Sequence, residues 1–130
     1  PPGMVVLDVG ANIGEISLAA AGRVAPGGRV YSFEPSAPLA AQLRRNAALN
    51  ADLMIEVVPS ALGATAGRAT LFDASEDFAD GSRHGGVVSL FQSHRNDVPT
   101  GETAVITLDE YVTGAGLART DLIKIDVEGA

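Results

Sequence analysis

The stretch Met4-Val-Val-Leu-Asp-Val-Gly-Ala-Asn-Ile-Gly14 carries the strongest structural signal in the chain. Residues 4–9 are apolar apart from Asp8, which is typical of a parallel strand buried on both faces. A loop with a glycine at each end follows, and then the first turn of a predicted helix. A second apolar run ends in Glu34, 20 residues beyond Gly14. This pattern predicts a half-fold that binds a nucleoside. It consists of a strand, a tight loop, a helix and an acid at the end of the next strand.

Length and composition limit the class of protein. The 130 residues are enough for one domain with a single core. The absence of cysteine excludes a disulfide framework, a thiolate metal site and a cysteine nucleophile. The net charge of −7 disfavours a nucleic-acid partner, since phosphate binding requires a basic face. No apolar run reaches the ~20 residues of a membrane span and no secretory leader is visible, so we expect a cytoplasmic domain that acts on a small molecule.

The order of the predicted elements favours an α/β fold. Strands and helices alternate over the first part of the chain, a pattern that produces right-handed crossovers and a parallel sheet. The strands are predicted at residues 4–9, 29–33, 54–58 and 121–127, and the helices at residues 12–22 and 36–47. Residues 121–127 are predicted to be a buried strand that neighbours the first one.

The middle of the chain has a different pattern. Residues 68–72 and 103–108 alternate apolar and polar, as antiparallel strands with one solvated face do. The intervening residues 73–86 are acidic and rich in glycine and serine, which predicts a long loop. Residues 109–112 predict a helical turn. The expected fold is therefore a parallel sheet with an antiparallel insertion.

The composition of the glycine loop discriminates between nucleoside cofactors. A dinucleotide fold requires glycines in the pattern G-x-G-x-x-G, so that a pyrophosphate can approach the helix N-terminus. Here Asn12 replaces one glycine and the spacing differs. Asp8 precedes the loop and Glu15 lies in the first helical turn, where carboxylates would repel phosphates. Their charge suits S-adenosylmethionine, which carries an ammonium and a sulfonium, better than it suits NAD.

Each of these residues also has a structural interpretation. Glu34 can accept both ribose hydroxyls of either cofactor, or it can be a surface acid or a cap for the following helix. Asp8 can pin the loop through backbone N–H groups, and this role can coexist with cofactor binding. Asn12 tolerates the left-handed conformation and can be a turn residue.

Motifs along essentially the whole chain carry a family resemblance. They are Val6-Leu-Asp-Val-Gly-Ala-Asn-Ile-Gly14, Phe33-Glu-Pro35, Arg44-Arg-Asn46 with Ala48-Leu-Asn50, Ser60-Ala-Leu-Gly63, Thr107-Leu-Asp109 and Leu122-Ile-Lys-Ile-Asp-Val-Glu-Gly-Ala130. In this order they resemble FkbM-type methyltransferases, and the last motif is the most specific. The resemblance implies a Rossmann-like class I methyltransferase fold. It also implies an S-adenosylmethionine-dependent O-methyltransferase that acts on a hydroxyl of a sugar or a polyketide-like natural product.

The resemblance further implies which residues form the site. The methionine part of the cofactor would be surrounded by Asp8, Gly10, Asn12 and Gly14, the ribose would meet Glu34, and the adenine would lie beside Ser60 and Ala61. Related folds often have an acid at the Ser60 position, and a serine is a weaker acceptor for the adenine amine. Asp126 and Glu128 would lie near the transferred methyl group. Asp126 is the first candidate for the base or acceptor-orienting group, and Glu128 is the second.

The two acids have other interpretations. Asp126 and Glu128 can be strand-end acids that bond loop amides, or their i, i+2 spacing can bind a divalent cation. No third ligand is identifiable, so no metal site is predicted. His84 and His94 lie in the polar middle, where each can act as a base from a lid, although the flanking glycine and arginine favour solvated loop histidines.

The family pattern normally continues beyond Ala130. We therefore expect residues 1–130 to be the N-terminal part of a larger S-adenosylmethionine-binding domain, truncated after the fourth core strand. The open edge of that strand would favour self-association into a homo-oligomer. Two other functions stay open, a NAD-linked oxidoreductase of Rossmann type and a non-catalytic nucleoside-binding module.

Overall fold

The computed structural model describes residues 1–73, 88–93 and 97–127 of the chain. In chain order its elements are β1 (Val5–Val9), α1 (Glu15–Val24), β2 (Arg29–Phe33), α2 (Ala37–Ala48), β3 (Ile55–Val58), β4 (Ser60–Leu62), β5 (Gly67–Asp73), β6 (Val98–Ile106), α3 (Leu108–Gly114) and β7 (Leu122–Ile125). Within these ranges, no helix combines the length and the apolarity needed to cross a membrane.

A four-stranded parallel sheet organises the fold, with the strand order β3-β2-β1-β7. The chain moves from β1 to β2 and on to β3 in one direction, so right-handed crossovers place α1 and α2 on the same face of the sheet. β7 pairs with the other side of β1, as the sequence predicts. The predicted α/β, Rossmann-like architecture is confirmed.

The two faces of this sheet bury different apolar clusters, because alternate residues of a strand point to opposite sides. Val6 and Val30 pack with α1, through Ala21 and Val24. Leu7, Val9, Tyr31 and Phe33 point to the other face, where residues of β4, β6 and α3 cover them. From α3, the Tyr111 ring meets Phe33 edge-on, with the ring centroids 4.8 Å apart.

A second sheet has the order β4-β6-β5. The predicted antiparallel pairing is confirmed, since β5 runs antiparallel to β6. The sequence did not predict β4, which begins immediately after Pro59. Proline has no N–H for a sheet ladder, so it ends β3 and the chain turns away to pair in parallel with β6. This turn carries Ser60 and Ala61 to the carboxyl edge of the parallel sheet.

Two helices differ in length from their predictions. α1 begins at Glu15 rather than at Asn12, because Asn12 and Gly14 have φ angles of 53° and 96°, which a right-handed helix excludes. The predicted turn at residues 109–112 is part of a seven-residue helix, α3. Thr107 and Glu110 stabilise its start through a reciprocal capping box.

The fourth strand is not buried as predicted, and in the described part of the chain it forms the open edge that the sequence also predicts. Leu122 is 52% exposed and Ile125 is 67% exposed. The physical reason is the position of β7, which is an edge strand with β1 as its neighbour in the described part of the chain. The long loop predicted at residues 73–86 lies outside the described residues, except for Asp73 at the end of β5.

The contribution of α2 to the core can be tested by substituting one buried and one exposed leucine. Leu43 of α2 is fully buried, whereas Leu49 at the end of this helix is 84% exposed. We expect Leu43→Ala to lower the free energy of unfolding by ~2–5 kcal/mol, because the truncation leaves a cavity. Leu49→Ala is the matched control and should change it by less than ~0.5 kcal/mol. Urea denaturation measures both values, and equal effects would contradict the packing described here.

Candidate functional site

Three parallel strands bring the predicted site residues to one edge of the sheet. The loop of residues 10–14 connects β1 to α1, Glu34 follows β2, and Asp126 follows β7. Because β2, β1 and β7 are adjacent and parallel, their carboxyl ends meet at this edge, which is where α/β folds bind ligands.

The loop is a tight, hydrogen-bonded turn. The N–H groups of Gly10 and Ala11 both donate to the carbonyl of Phe33 at 3.0 Å, which ties the loop to the end of β2. Asn12 has a left-handed φ of 53°, and its side-chain oxygen accepts the N–H of Ile13 at 2.8 Å. The interpretation of Asn12 as a turn residue therefore matches its geometry.

Both loop glycines have left-handed φ angles and close neighbours. A Cβ on Gly10 would overlap the backbone carbonyl of Asp126, so the loop lies directly against the end of β7. A Cβ on Gly14 would overlap the side chain of Leu43 in α2. Gly10 thus lies beside the strand end that carries Asp126. Gly14, just before α1, leaves room for the Leu43 side chain of α2.

Glu34 holds the loop and the start of α2 together. One carboxylate oxygen accepts the N–H of Asn12 and the other accepts the N–H of Ser36, each at 2.8 Å. The residue is 5% exposed, which rules out a surface acid, and its bond to Ser36, the N-cap residue of α2, supports a role at that helix start. Burial raises the pKa of Glu34 above its ordinary value of 4.5, and the two backbone N–H groups partly offset this increase.

Asp8 lies behind the loop. Its side chain is fully buried, and one carboxylate oxygen accepts the hydroxyl of Ser17 at 2.6 Å. The Ser32 hydroxyl in turn donates to the Ser17 hydroxyl at 2.7 Å. These two hydrogen bonds link β2, α1 and β1. The other oxygen of Asp8 forms an ion pair with the ammonium of Lys124 at 3.0 Å. The described partners of Asp8 are thus a hydroxyl and an ammonium, not the backbone amides of the loop.

Sequence reasoning missed Lys124 as a site residue. It stands opposite Asp8 in the register between β1 and β7. Its ammonium also donates to the carbonyl of Gly10 at 3.2 Å and lies 3.9 Å from a carboxylate oxygen of Asp126. A lysine between Ile123 and Ile125 in an apolar strand was the available signal, because such a charge needs a partner on the neighbouring strand.

Two cavities open on either side of the loop. The first, here called the Glu34 cavity, is lined by Val9, Gly10, Asn12, Phe33, Glu34, Pro35, Leu39, Ser60, Ala61, Leu62, Val88, Leu90, Asp126 and Val127. The second, here called the Lys124 cavity, is lined by Gly10, Ala11, Asn12, Ile13, Glu15, Ile16, Lys124 and Asp126. The two cavities share three lining residues, Gly10, Asn12 and Asp126, so they are adjacent, and together they are called the cleft.

The structure brings most of the predicted site residues together. Those that line the cleft are Gly10, Asn12, Glu34, Ser60, Ala61 and Asp126. Asp8 and Gly14 line neither cavity. Glu128, His84 and His94 lie outside the described residues. Within the described ranges, no group of three acidic, histidine or cysteine side chains is arranged to hold a metal ion.

Comparison with known proteins shows the family. A sequence model of the methyltransferase FkbM domain matches residues 8–130. The chain is 32% identical over 158 aligned residues to the AMB antimetabolite synthetase AmbE of Pseudomonas aeruginosa, an alignment that takes in 100% of this chain and 7% of the synthetase. The chain thus spans a small part of the length of this curated relative.

A crystal structure assigned to an rRNA-methylase of Clostridium thermocellum superposes with a TM-score of 0.43 and 22% identity, over 46% of this chain and 33% of that chain. The domain match is the stronger finding, since it runs from Asp8 through the last residue and includes every predicted site residue. The chain therefore belongs to the FkbM family of methyltransferases.

Proposed function

We propose that the chain binds S-adenosylmethionine in the cleft around the loop and transfers its methyl group to a hydroxyl of a small molecule. The observation that carries this proposal is that the Glu34 and Lys124 cavities adjoin at Gly10, Asn12 and Asp126. The Glu34 cavity has mostly apolar walls with the acids Glu34 and Asp126. The Lys124 cavity is lined by Glu15, Lys124 and Asp126, and this contrast matches the two halves of the cofactor.

The Glu34 cavity is lined by groups whose chemistry suits an adenosine. Each carboxylate oxygen of Glu34 accepts one backbone N–H and retains capacity for a second donor, so both ribose hydroxyls can bind. Apolar side chains such as Phe33 and Leu39 provide surfaces for a planar base. Ser60 and Ala61 lie in the same wall, where they would stand beside the adenine.

The Lys124 cavity fits the charged end of the cofactor better than it fits a pyrophosphate. Asp8 presents no net charge to a ligand, because Lys124 pairs with it. Glu15 and Asp126 still line the cavity, and two carboxylates would repel the phosphates of NAD. An ammonium and a sulfonium would instead be attracted.

Asp126 is the proposed acceptor-orienting group. It lines both cavities, and its side chain is 78% exposed, so it can meet a second substrate. The bound cofactor supplies a methyl group that is already activated by the sulfonium, and alignment of donor and acceptor is the main task of the protein. Removal of the hydroxyl proton by a carboxylate adds ~10²–10⁴-fold. Glu128 is the second candidate for this role.

The acceptor is proposed to be a sugar or a polyketide-like natural product. The relative AmbE is an antimetabolite synthetase, which supports an acceptor among small natural products. The net charge of −7 disfavours nucleic acid as the acceptor. The proposal also includes the cytoplasm as the compartment and self-association of the chain, which the apolar side chains exposed along β7 motivate.

A NAD-linked oxidoreductase and a non-catalytic nucleoside-binding module are the alternatives. Calorimetric titration with S-adenosylhomocysteine and with NADH separates the first from the proposal. We expect S-adenosylhomocysteine to bind and NADH not to bind, because the acids at the loop repel its phosphates. Binding of NADH without binding of S-adenosylhomocysteine would contradict the proposal.

The ribose assignment predicts a large effect of Glu34. We expect Glu34→Ala to weaken S-adenosylhomocysteine binding by ~10- to 100-fold, since hydrogen bonds to a charged group are lost. Glu102→Ala, which removes an exposed acid of β6, is the control and should leave the affinity unchanged. Calorimetry measures both affinities, and circular dichroism checks that each variant is folded. An unchanged affinity of folded Glu34→Ala would show that the ribose assignment is wrong.

The raised pKa of Glu34 predicts that cofactor binding depends on pH. Hydroxyl donors favour the ionised carboxylate, and burial favours the protonated one. S-adenosylhomocysteine affinity should therefore increase as the pH rises from 4.5 through the raised pKa, and then become constant. Glu34→Gln should remove this increase. Calorimetry across this range tests the sign, and an affinity that falls with rising pH in the parent protein would contradict it.

A further inference from the structure

Residues 88–90, here called the bridge segment, contribute to the wall of the Glu34 cavity. Val88 and Leu90 line this cavity and do not line the Lys124 cavity. Alternate residues of an extended chain point to the same side, so these two side chains reach the cavity together. Ser89 between them is 4% exposed and does not line it. The bridge segment therefore presents two neighbouring apolar side chains to the cavity.

Two backbone hydrogen bonds attach the bridge segment to the second sheet. The N–H of Phe72 in β5 donates to the Ser89 carbonyl at 2.8 Å, and the N–H of Ser89 donates to the Phe72 carbonyl at 2.9 Å. Within the described ranges these bonds form an isolated antiparallel bridge. Such an attachment opens at a lower free-energy cost than a continuous ladder of bonds. Contacts with a bound ligand would therefore add appreciably to what holds the segment in place.

The chemistry of the cavity assigns the bridge segment to the base of the ligand. In the proposed function, the ribose hydroxyls donate to Glu34 and the amino-acid end lies in the Lys124 cavity. The base is the remaining part of the cofactor, and its planar faces need apolar surfaces rather than hydrogen-bond partners. The side chains of Val88 and Leu90 have no polar atom, so they suit the face of a purine.

We propose that Val88 and Leu90 contact the adenine of the bound cofactor, so that the bridge segment is a specificity-determining wall that the ligand holds closed. The inference rests on the proposed function and assigns a role to two residues that sequence reasoning did not select. The bridge between Phe72 and Ser89 becomes more stable when the cavity is filled, because the buried base adds apolar contacts to the segment.

The binding test uses two ligands that contain adenine, S-adenosylhomocysteine and 5′-methylthioadenosine, of which the second lacks the amino-acid end. Leu90→Ala should weaken both by a similar factor, about five- to tenfold, because it removes apolar surface from the base contact. Val88→Ala removes less surface and should weaken both by about two- to fivefold. Calorimetry measures the affinities, and circular dichroism checks that each variant is folded.

Two further variants are the controls. Phe91 is 57% exposed and lines neither cavity, although it is close in the chain to the bridge segment. Phe91→Ala should therefore change either affinity by less than about twofold. Leu90→Met keeps an apolar side chain of similar volume and should also stay within about twofold of the parent protein.

Amide hydrogen exchange tests whether the ligand holds the bridge segment closed. Saturating S-adenosylhomocysteine should slow exchange of the Phe72 and Ser89 N–H groups by about fivefold or more in the parent protein. The N–H groups of residues 67–70, in the part of β5 farther along the chain from the bridge, are the internal control and should be slowed less.

The outcomes separate the inference from the proposed function. An unchanged affinity of folded Leu90→Ala, or a loss confined to S-adenosylhomocysteine, would overturn the inference, because the segment would then not contact the base. Equal exchange of the bridge N–H groups with and without ligand would overturn it as well. Each of these results leaves the proposed function standing, since the parent protein still binds. Binding of neither ligand to the parent protein would overturn the proposed function and the inference with it.

Discussion

The hydrogen bonds of the Glu34 carboxylate constrain the site more than any other interaction. A buried carboxylate is unfavourable unless its oxygens are hydrogen-bonded, and Glu34 meets this requirement with the N–H groups of Asn12 and Ser36. In doing so it fixes the glycine loop to the end of β2 and to the start of α2. Glu34 and Asn12 both line the cavity, together with Ser60 and Ala61 of β4. The Glu34 side chain therefore both holds the loop in place and is the proposed ligand of the ribose.

The two buried acids of the site, Asp8 and Glu34, have different kinds of partner, and we infer different roles from this difference. Asp8 is matched by a full positive charge and a hydroxyl, so its charge is neutralised inside the protein. Glu34 accepts two backbone N–H groups, and each of its carboxylate oxygens keeps capacity for a further donor. The first acid stabilises the arrangement of β1, α1 and β7. The second can recognise a ligand. A cofactor with a ribose suits this arrangement, because its hydroxyls can donate to Glu34.

Local sequence was sufficient to predict the parallel sheet, the loop and the position of Glu34, because these depend on residues that are close in the chain. It was not sufficient for β4, whose direction depends on Pro59 and on pairing with the distant β6. Nor did it identify Lys124, since the need for a cation there becomes visible when β7 lies beside Asp8. The assignment of Asp8 to the cofactor stays a prediction. The hydrogen bond between Asp8 and Ser17 of α1 depends on the three-dimensional packing, which local sequence does not reveal.

One molecule of cofactor is proposed to occupy both cavities in a fixed direction. A crystal structure with S-adenosylhomocysteine bound tests this proposal most directly. We expect the adenine against Leu39 and Ala61, the ribose hydroxyls on Glu34 and the amino-acid end in the Lys124 cavity. A ligand bound in the reverse direction, or bound away from Glu34, would contradict the account.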